Sequence, residues 1–329
     1  GKGEFAGRII SLGRAFNPPF NTTSVPIGIY ASSTAIRKVL ATEQFDLIHV
    51  GTPVSPFSLA RLIRFAECPV VTTFMSHSQG PGHRRFLRFM SSFPHKIEKY
   101  IDVFIAPNEM TVEDARHIIP GEYHVIPHAM NVSIYSKPAS PLPKFKDDNT
   151  YILFLGRLEE RKGIHLLVQA MPDIIKAVPE TRLIIAGDGP LRPKLEETVK
   201  DLNIDDYVSF EGYIDENDKP RYFASAEFCV FPALYGECFG IVLIEALSAG
   251  KIPLAFANEG YGSVLHNIPE ILVPTGDVDT LTKRIIHFLT DETDRKKVEE
   301  KCANEAVSFS IESIGLQVEK LYEEALQKS

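Results

Sequence analysis

"EFCVFPALYGECFGIVLIEALSAGKIPLAFA" (227–257) reads as a strand, a loop, a helix and a second strand. The runs EFCVFPA (227–233) and IPLAFA (252–257) are short and apolar, and a helix-length segment from about Gly240 to Ala249 lies between them. That order is the signature of a parallel βα unit rather than a sandwich or a bundle. The same alternation extends in both directions. FDLIHV (45–50), PVVTTF (69–74), DVFIAP (102–107) and YHVIP (123–127) read as strands of the first half, with helices such as PFSLARLIRFAE (56–67) between them. YILFLG (151–156), TRLIIAG (181–187) and YVSFEG (207–212) join the opening pair in the second half. The expected fold is α/β, with two Rossmann-like, doubly wound parallel-sheet domains.

Pro- and Lys-rich SKPASPLPKFKDDN (136–149) follows neither period and reads as the linker. It sets the expected domains at 1–145 and 146–309, with a C-terminal helix, 310–329, that crosses back to the first domain. Some fifty residues of mixed, Pro-containing sequence precede the first clear strand, so the first domain is expected to lack its usual opening strand and Gly-rich loop.

The chain has 329 residues, of which 44% are hydrophobic and 24% charged, the balance of a soluble globular protein and not of a disordered one. No apolar run reaches the roughly 18 residues a membrane span needs, and GKGEFAGRII does not read as a signal peptide. A cytoplasmic location is expected. Cys68, Cys229, Cys238 and Cys302 form no CxxC pair, which argues against zinc and disulfides. Residues 1–145 carry 15 Lys and Arg against 10 Asp and Glu, and residues 146–329 carry 20 against 33. A basic first half suits an anionic acceptor or a membrane surface, although solvated faces alone can produce the difference. No nucleic-acid partner is expected.

Four stretches carry the chemistry. In GECFGIVLIEALSAG (236–250) the backbone N–H groups of Gly240, Ile241 and Val242 open a helix N-terminus that can hold a diphosphate, beside Phe239. Glu245, one turn further in, sits in apolar company and needs hydrogen-bond donors, which a ribose diol supplies; Glu237 can accept from hydroxyls beyond the phosphates. In LGRLEERKG (155–163), Arg157 and Lys162 can neutralise a departing diphosphate from the carboxyl end of a strand. IIAGDGP (184–190) places Gly187 at a strand-to-helix turn, and EGYIDENDK (211–219) offers Tyr213 and Ile214 to a nucleobase with Lys219 nearby. Taken singly, each is also an ordinary charged loop, tight turn or helix residue.

In combination and order these stretches resemble the retaining GT-B glycosyltransferases of family 4 with their Glu-x7-Glu signature, and most of all the phosphatidylinositol mannosyltransferases. The resemblance implies two domains facing a cleft. It implies that Arg157 and Lys162 bind the donor diphosphate, that Glu237 holds donor-sugar hydroxyls and that Glu245 takes the ribose. It also implies retention at the anomeric carbon and a nucleotide-sugar donor, GDP-mannose before UDP-sugars, with no separate cofactor. The histidine that family members commonly carry after PVVTTF is here Met75, and His77 is the nearest candidate to replace it. No nucleophile is evident, so same-face attack is expected, a donor phosphate oxygen taking the acceptor's proton. Asp277 and Asp279 precede a helix and read as an N-cap rather than a metal pair, and no metal is expected.

HRRFLRFMSSF (83–93), as a helix, gathers Phe86, Phe89, Met90 and Phe93 opposite Arg84, Arg85 and Arg88. It can lie in a lipid interface or pack on its own domain. An anionic lipid acceptor at the inner face of the plasma membrane, a soluble acceptor, and a non-catalytic nucleotide-sugar-binding protein or fragment therefore all stay open.

Overall fold

The structure, a computed structural model, describes residues 32–51, 59–75, 97–137 and 139–328, with short stretches between residues 9 and 30. His77 and the segment 83–93 lie outside the described residues.

Two compact units make up the chain. One contains the described residues up to Ile126 together with those from Gln317 onward; the other runs from Pro127 to Leu316. In the first, β1 (Ile48–Gly51), β2 (Val70–Thr73), β3 (Val103–Ala106) and β4 (Tyr123–Val125) form a parallel sheet in sequence order. Each strand falls within or against an apolar run identified above; β2 and β3 are buried almost throughout, as strands covered on both faces are, whereas β1 and β4 are partly exposed. Val50, Ile63, Val70 and Phe104 are among the buried side chains of this core. The segment from Gln317 belongs here through Tyr322, whose hydroxyl shares a 2.5 Å hydrogen bond with His49 Nδ1. The other ring nitrogen of His49 is 2.7 Å from Thr73 Oγ1.

The second unit holds six parallel strands: β5 (Thr150–Leu155), β6 (Thr181–Ala186), β7 (Val208–Gly212), β8 (Phe228–Phe231), β9 (Pro253–Phe256) and β10 (Leu272–Val273). Their spatial order is β7-β6-β5-β8-β9-β10. This is the doubly wound order, and its direction reverses between β5 and β8, where ligands of open α/β sheets bind beyond the carboxyl ends. The helices that matter for the site are α1 (Ser133–Ser136), α2 (Ile164–Ala177), α3 (Lys219–Ser225), α4 (Ile241–Ser248) and α5 (Glu259–Leu265). α4 is buried from Leu243 through Ser248, which its nearly unbroken apolar sequence requires. Asp277 caps the following helix, its carboxylate accepting from Thr280 N at 3.0 Å.

The units part between Ile126 and Pro127, ahead of the composition boundary at 145/146. Pro-rich composition reports backbone conformation, not packing, and residues 127–149 bring buried side chains to the second unit. Tyr135 and Phe145 are both buried in its core, Phe145 lies 5.0 Å from the Tyr151 ring, and Leu142 N donates to Ser225 Oγ.

The loops after β5 and β8 approach so closely that glycine is required. Gly163, at φ +66°, leaves no room for a side chain, since an added Cβ would lie 1.8 Å from the carbonyl oxygen of Pro232. Gly163→Ala is expected to cost about 3 kcal/mol or more of stability. Gly250→Ala, at φ +67° with nothing within 4 Å, should cost about 1 kcal/mol. Denaturant midpoints of the two variants measure the difference.

Candidate active site

The strand-order reversal places two loops side by side, 156–163 after β5 and 232–240 after β8, joined by Leu234 N donating to the Arg161 carbonyl at 2.8 Å. The second loop turns into α4 at Gly240, which has φ +106° and would drive a Cβ to 2.8 Å from the Tyr261 ring. Phe239 is buried, edge-on to the rings of His128 and Phe309. Ile241 is exposed and Val242 half-buried, so the start of α4 lies at the surface; Leu243 N already donates to the Gly240 carbonyl at 2.9 Å, and the N–H groups of Gly240, Ile241 and Val242 precede the first i to i−4 bond of the helix.

Directly before that turn lies a charge cluster. Glu237, only 8% exposed, takes Lys162 Nζ at 2.8 Å and Arg161 Nη1 at 2.6 Å on the same oxygen. Tyr261, from α5, adds a hydrogen bond, and burial together with the Glu237 charge pushes its phenol well above the ordinary value. Arg161 Nε in turn holds Glu159 Oε2 at 2.8 Å, and Arg157 Nε holds Glu159 Oε1 at 2.7 Å. Burial opposes the charge on Arg161, yet Glu237 and Glu159 outweigh it and raise its pKa. Three cations face two carboxylates in this chain of contacts, a net positive charge beside a helix N-terminus. Such a place attracts an anion.

Deeper in α4, Glu245 is 5% exposed. The protein itself supplies two hydrogen-bond partners to this carboxylate. Lys219 Nζ and Tyr135 OH reach the same oxygen at 2.9 and 2.8 Å. Lys219 also pairs with Glu216 at 2.8 Å; burial disfavours its charge, but the two glutamates prevail and raise its pKa. Burial, then the Glu245 carboxylate, raises Tyr135 above the ordinary phenol range. The lysine expected near a base is therefore a partner of the ribose candidate.

Gly187 and Gly212 meet at the ends of β6 and β7, Gly187 N donating to Gly212 O at 2.7 Å. A Cβ on Gly187 would lie 1.9 Å from the Gly156 carbonyl. Tyr213 is 81% exposed and Ile214 half-buried just beyond. Met75 follows β2 in the first unit, exposed, after a fully buried Phe74.

Lys162 and Glu237 are thus brought into contact, Arg157 joins them through Glu159, and Glu245 and Lys219 form a second pair. Arg161, Glu159, Tyr261 and Tyr135 are the participants that sequence reasoning missed. Arg161 was visible, as the residue before Lys162 in a loop already singled out. Tyr261 and Tyr135 are joined to their glutamates only by tertiary packing, and no local signal marks them.

Solved structures share this fold. Sucrose-phosphate synthase from Thermosynechococcus elongatus superimposes with a TM-score of 0.72 over 90% of this chain and 78% of its own, at 24% identity. Anabaena Alr3699/HepE in complex with UDP and glucose gives 0.72 over 88% and 81%, at 20% identity. At such identities the likeness is one of fold, and that fold is the GT-B glycosyltransferase architecture. The chain belongs to the Glycosyl transferases group 1 family, whose model matches residues 139–305, and the Glycosyltransferase Family 4 model matches residues 2–134. Among relatives, the phosphatidyl-myo-inositol mannosyltransferase of Mycolicibacterium smegmatis is 27% identical over 96% of this chain and 81% of its own. The alpha-monoglucosyldiacylglycerol synthase of Streptococcus pneumoniae is 25% identical over 90% and 70%. These matches bear out the resemblance read from the motifs, and the protein is a glycosyltransferase.

Proposed function

We propose that the protein moves a hexosyl group, mannose before other sugars, from a nucleotide-sugar to a lipid acceptor such as phosphatidylinositol, with retention at the anomeric carbon and without a metal. The observation that carries the donor half is the charge cluster at the foot of α4, where Lys162 and Arg161 on Glu237, and Arg157 on Glu159, lie beside a helix N-terminus. In this reading Lys162 and Arg157 neutralise the leaving diphosphate together with the N–H groups of Gly240, Ile241 and Val242. Glu237 orients donor-sugar hydroxyls with Phe239 backbone close by, Glu245 takes the ribose, and Tyr213, Ile214 and Gly187 border the base. The acceptor hydroxyl attacks on the face the diphosphate leaves, passing its proton to a donor phosphate oxygen. His77 stands for the histidine that Met75 replaces.

The lipid half rests on two relatives whose names contain a lipid, phosphatidyl-myo-inositol in one and monoglucosyldiacylglycerol in the other, and on the basic balance of residues 1–145. No described helix is long and apolar enough to cross a membrane. In this reading the protein engages the membrane peripherally, at the cytoplasmic face. Incubation with GDP-mannose, UDP-glucose or UDP-N-acetylglucosamine, with and without phosphatidylinositol vesicles, tests both halves. Transfer from GDP-mannose that requires vesicles is the expected result. Transfer to a soluble sugar without vesicle association overturns the lipid assignment, and binding without turnover overturns the enzymatic one.

A further inference from the structure

Lys162 presents a conflict. The proposed donor role needs its ammonium on a diphosphate, yet the structure holds it 2.8 Å from Glu237 Oε1. Pulling it away would strip a carboxylate that is 8% exposed of a counter-charge at the moment an anion arrives beside it. Leaving one member of a buried pair uncompensated is costly.

The second cation resolves the conflict. Arg161 reaches the same Oε1 at 2.6 Å and is itself fixed on its far side by Glu159 Oε2 at 2.8 Å, a carboxylate only 3% exposed. Its backbone carbonyl is tied to Leu234 N, and its side chain packs along Gly236, where even an added Cβ would sit 3.5 Å from Arg161 Cδ. Arg161 is therefore braced from both sides, whereas Lys162 is ion-paired with Glu237 at the end of a flexible four-carbon stem.

We propose that Arg161 is a positioning residue that keeps Glu237 charge-compensated and in place while Lys162 is handed from Glu237 to the donor diphosphate. The inference rests on the donor reading given under Proposed function and adds to it a division of labour between adjacent cations. A guanidinium suits the static role because it serves two carboxylates at once through separate nitrogens, and a flexible ammonium suits the mobile one. The groups facing Glu237 are Arg161 and Lys162 from one loop and Tyr261 from α5, with Glu159 and Arg157 one contact beyond. Tyr261 is neutral and can share a hydrogen bond but not a charge.

The test is a double-mutant cycle on GDP and UDP affinity measured by calorimetry at one pH, with Arg161→Met made in the wild type and in Glu237→Gln. In the wild type the substitution should weaken binding at least about tenfold. In Glu237→Gln no charge is left to compensate, so the same substitution should change affinity by less than about twofold. Arg161→Lys should recover most of the affinity, and Glu159→Gln, which removes the brace, should reproduce a smaller version of the Glu237-dependent gap; these two decide the matter if Arg161→Met does not fold. A gap of equal size in both backgrounds would mean plain loss of a cation and would overturn the handover, as would no gap at all. If the wild type binds neither GDP nor UDP, the donor reading itself fails, an outcome distinct from either.

Discussion

Glu237→Gln is expected to slow sugar transfer by about 10²- to 10³-fold while nucleoside diphosphate binding becomes tighter than in the wild type. The two effects have opposite signs for one reason. As an anion, Glu237 competes with the diphosphate for Lys162, 2.8 Å from its Oε1, so neutralising it releases that ammonium to the ligand. The same carboxylate is the group proposed to orient the donor sugar through charge-assisted hydrogen bonds, which an amide makes about half as strongly. The shape of the side chain is kept, so Tyr261 and Arg161 still pack around it. Transfer rates at saturating donor, set against the dissociation constants of GDP and UDP, separate the contributions. Parallel losses in both quantities would return Glu237 to a general scaffolding role and would count against Lys162 as a diphosphate ligand.

Glu245→Ala should cost about 3 to 5 kcal/mol of stability, because it leaves the Lys219 ammonium, 15% exposed at its side chain, in a buried place without its inner partner. Glu216 remains, but as an exposed carboxylate it compensates poorly. Removing both charges, as Glu245→Leu with Lys219→Met, should restore most of the lost stability, since an apolar pair of similar volume often replaces a buried ion pair without penalty. Nucleotide affinity should fall by roughly ten- to a hundredfold in both variants, the worth of ribose hydroxyl bonds to a charged acceptor. Urea denaturation and nucleotide titration on the same samples check the pair of expectations. A double variant that is stable and binds nucleotide as tightly as the wild type would leave Glu245 a purely structural residue.

Most of the architecture was legible because parallel strands buried on both faces have to be written as continuous apolar runs, and nine of them were found at the expected places. The tenth, Leu272–Val273, is two residues long and carries no period to detect. The division into units falls earlier in the chain than the composition boundary because Tyr135 and Phe145 look like linker residues until the surface they bury against is known. In the site, Glu237, Lys162 and Glu245 stood out because a loop or helix turn displays them in short, spaced motifs. What the motifs could not show was who neutralises whom. Arg161 outweighs its neighbour Arg157 in direct contact with Glu237, and the buried Glu159 between them reads in sequence as one more acid in a charged turn.

The first unit is not a single piece of chain. Residues from Gln317, whose Tyr322 reaches His49, follow the entire second unit in the polypeptide. During vectorial synthesis the second unit, contiguous from Pro127 to Leu316, can close on itself while the first still waits for its last segment. One proteolytic nick near residue 316 would then amputate a piece of the first unit and spare the second, so limited digestion should yield the Pro127–Leu316 unit as the survivor.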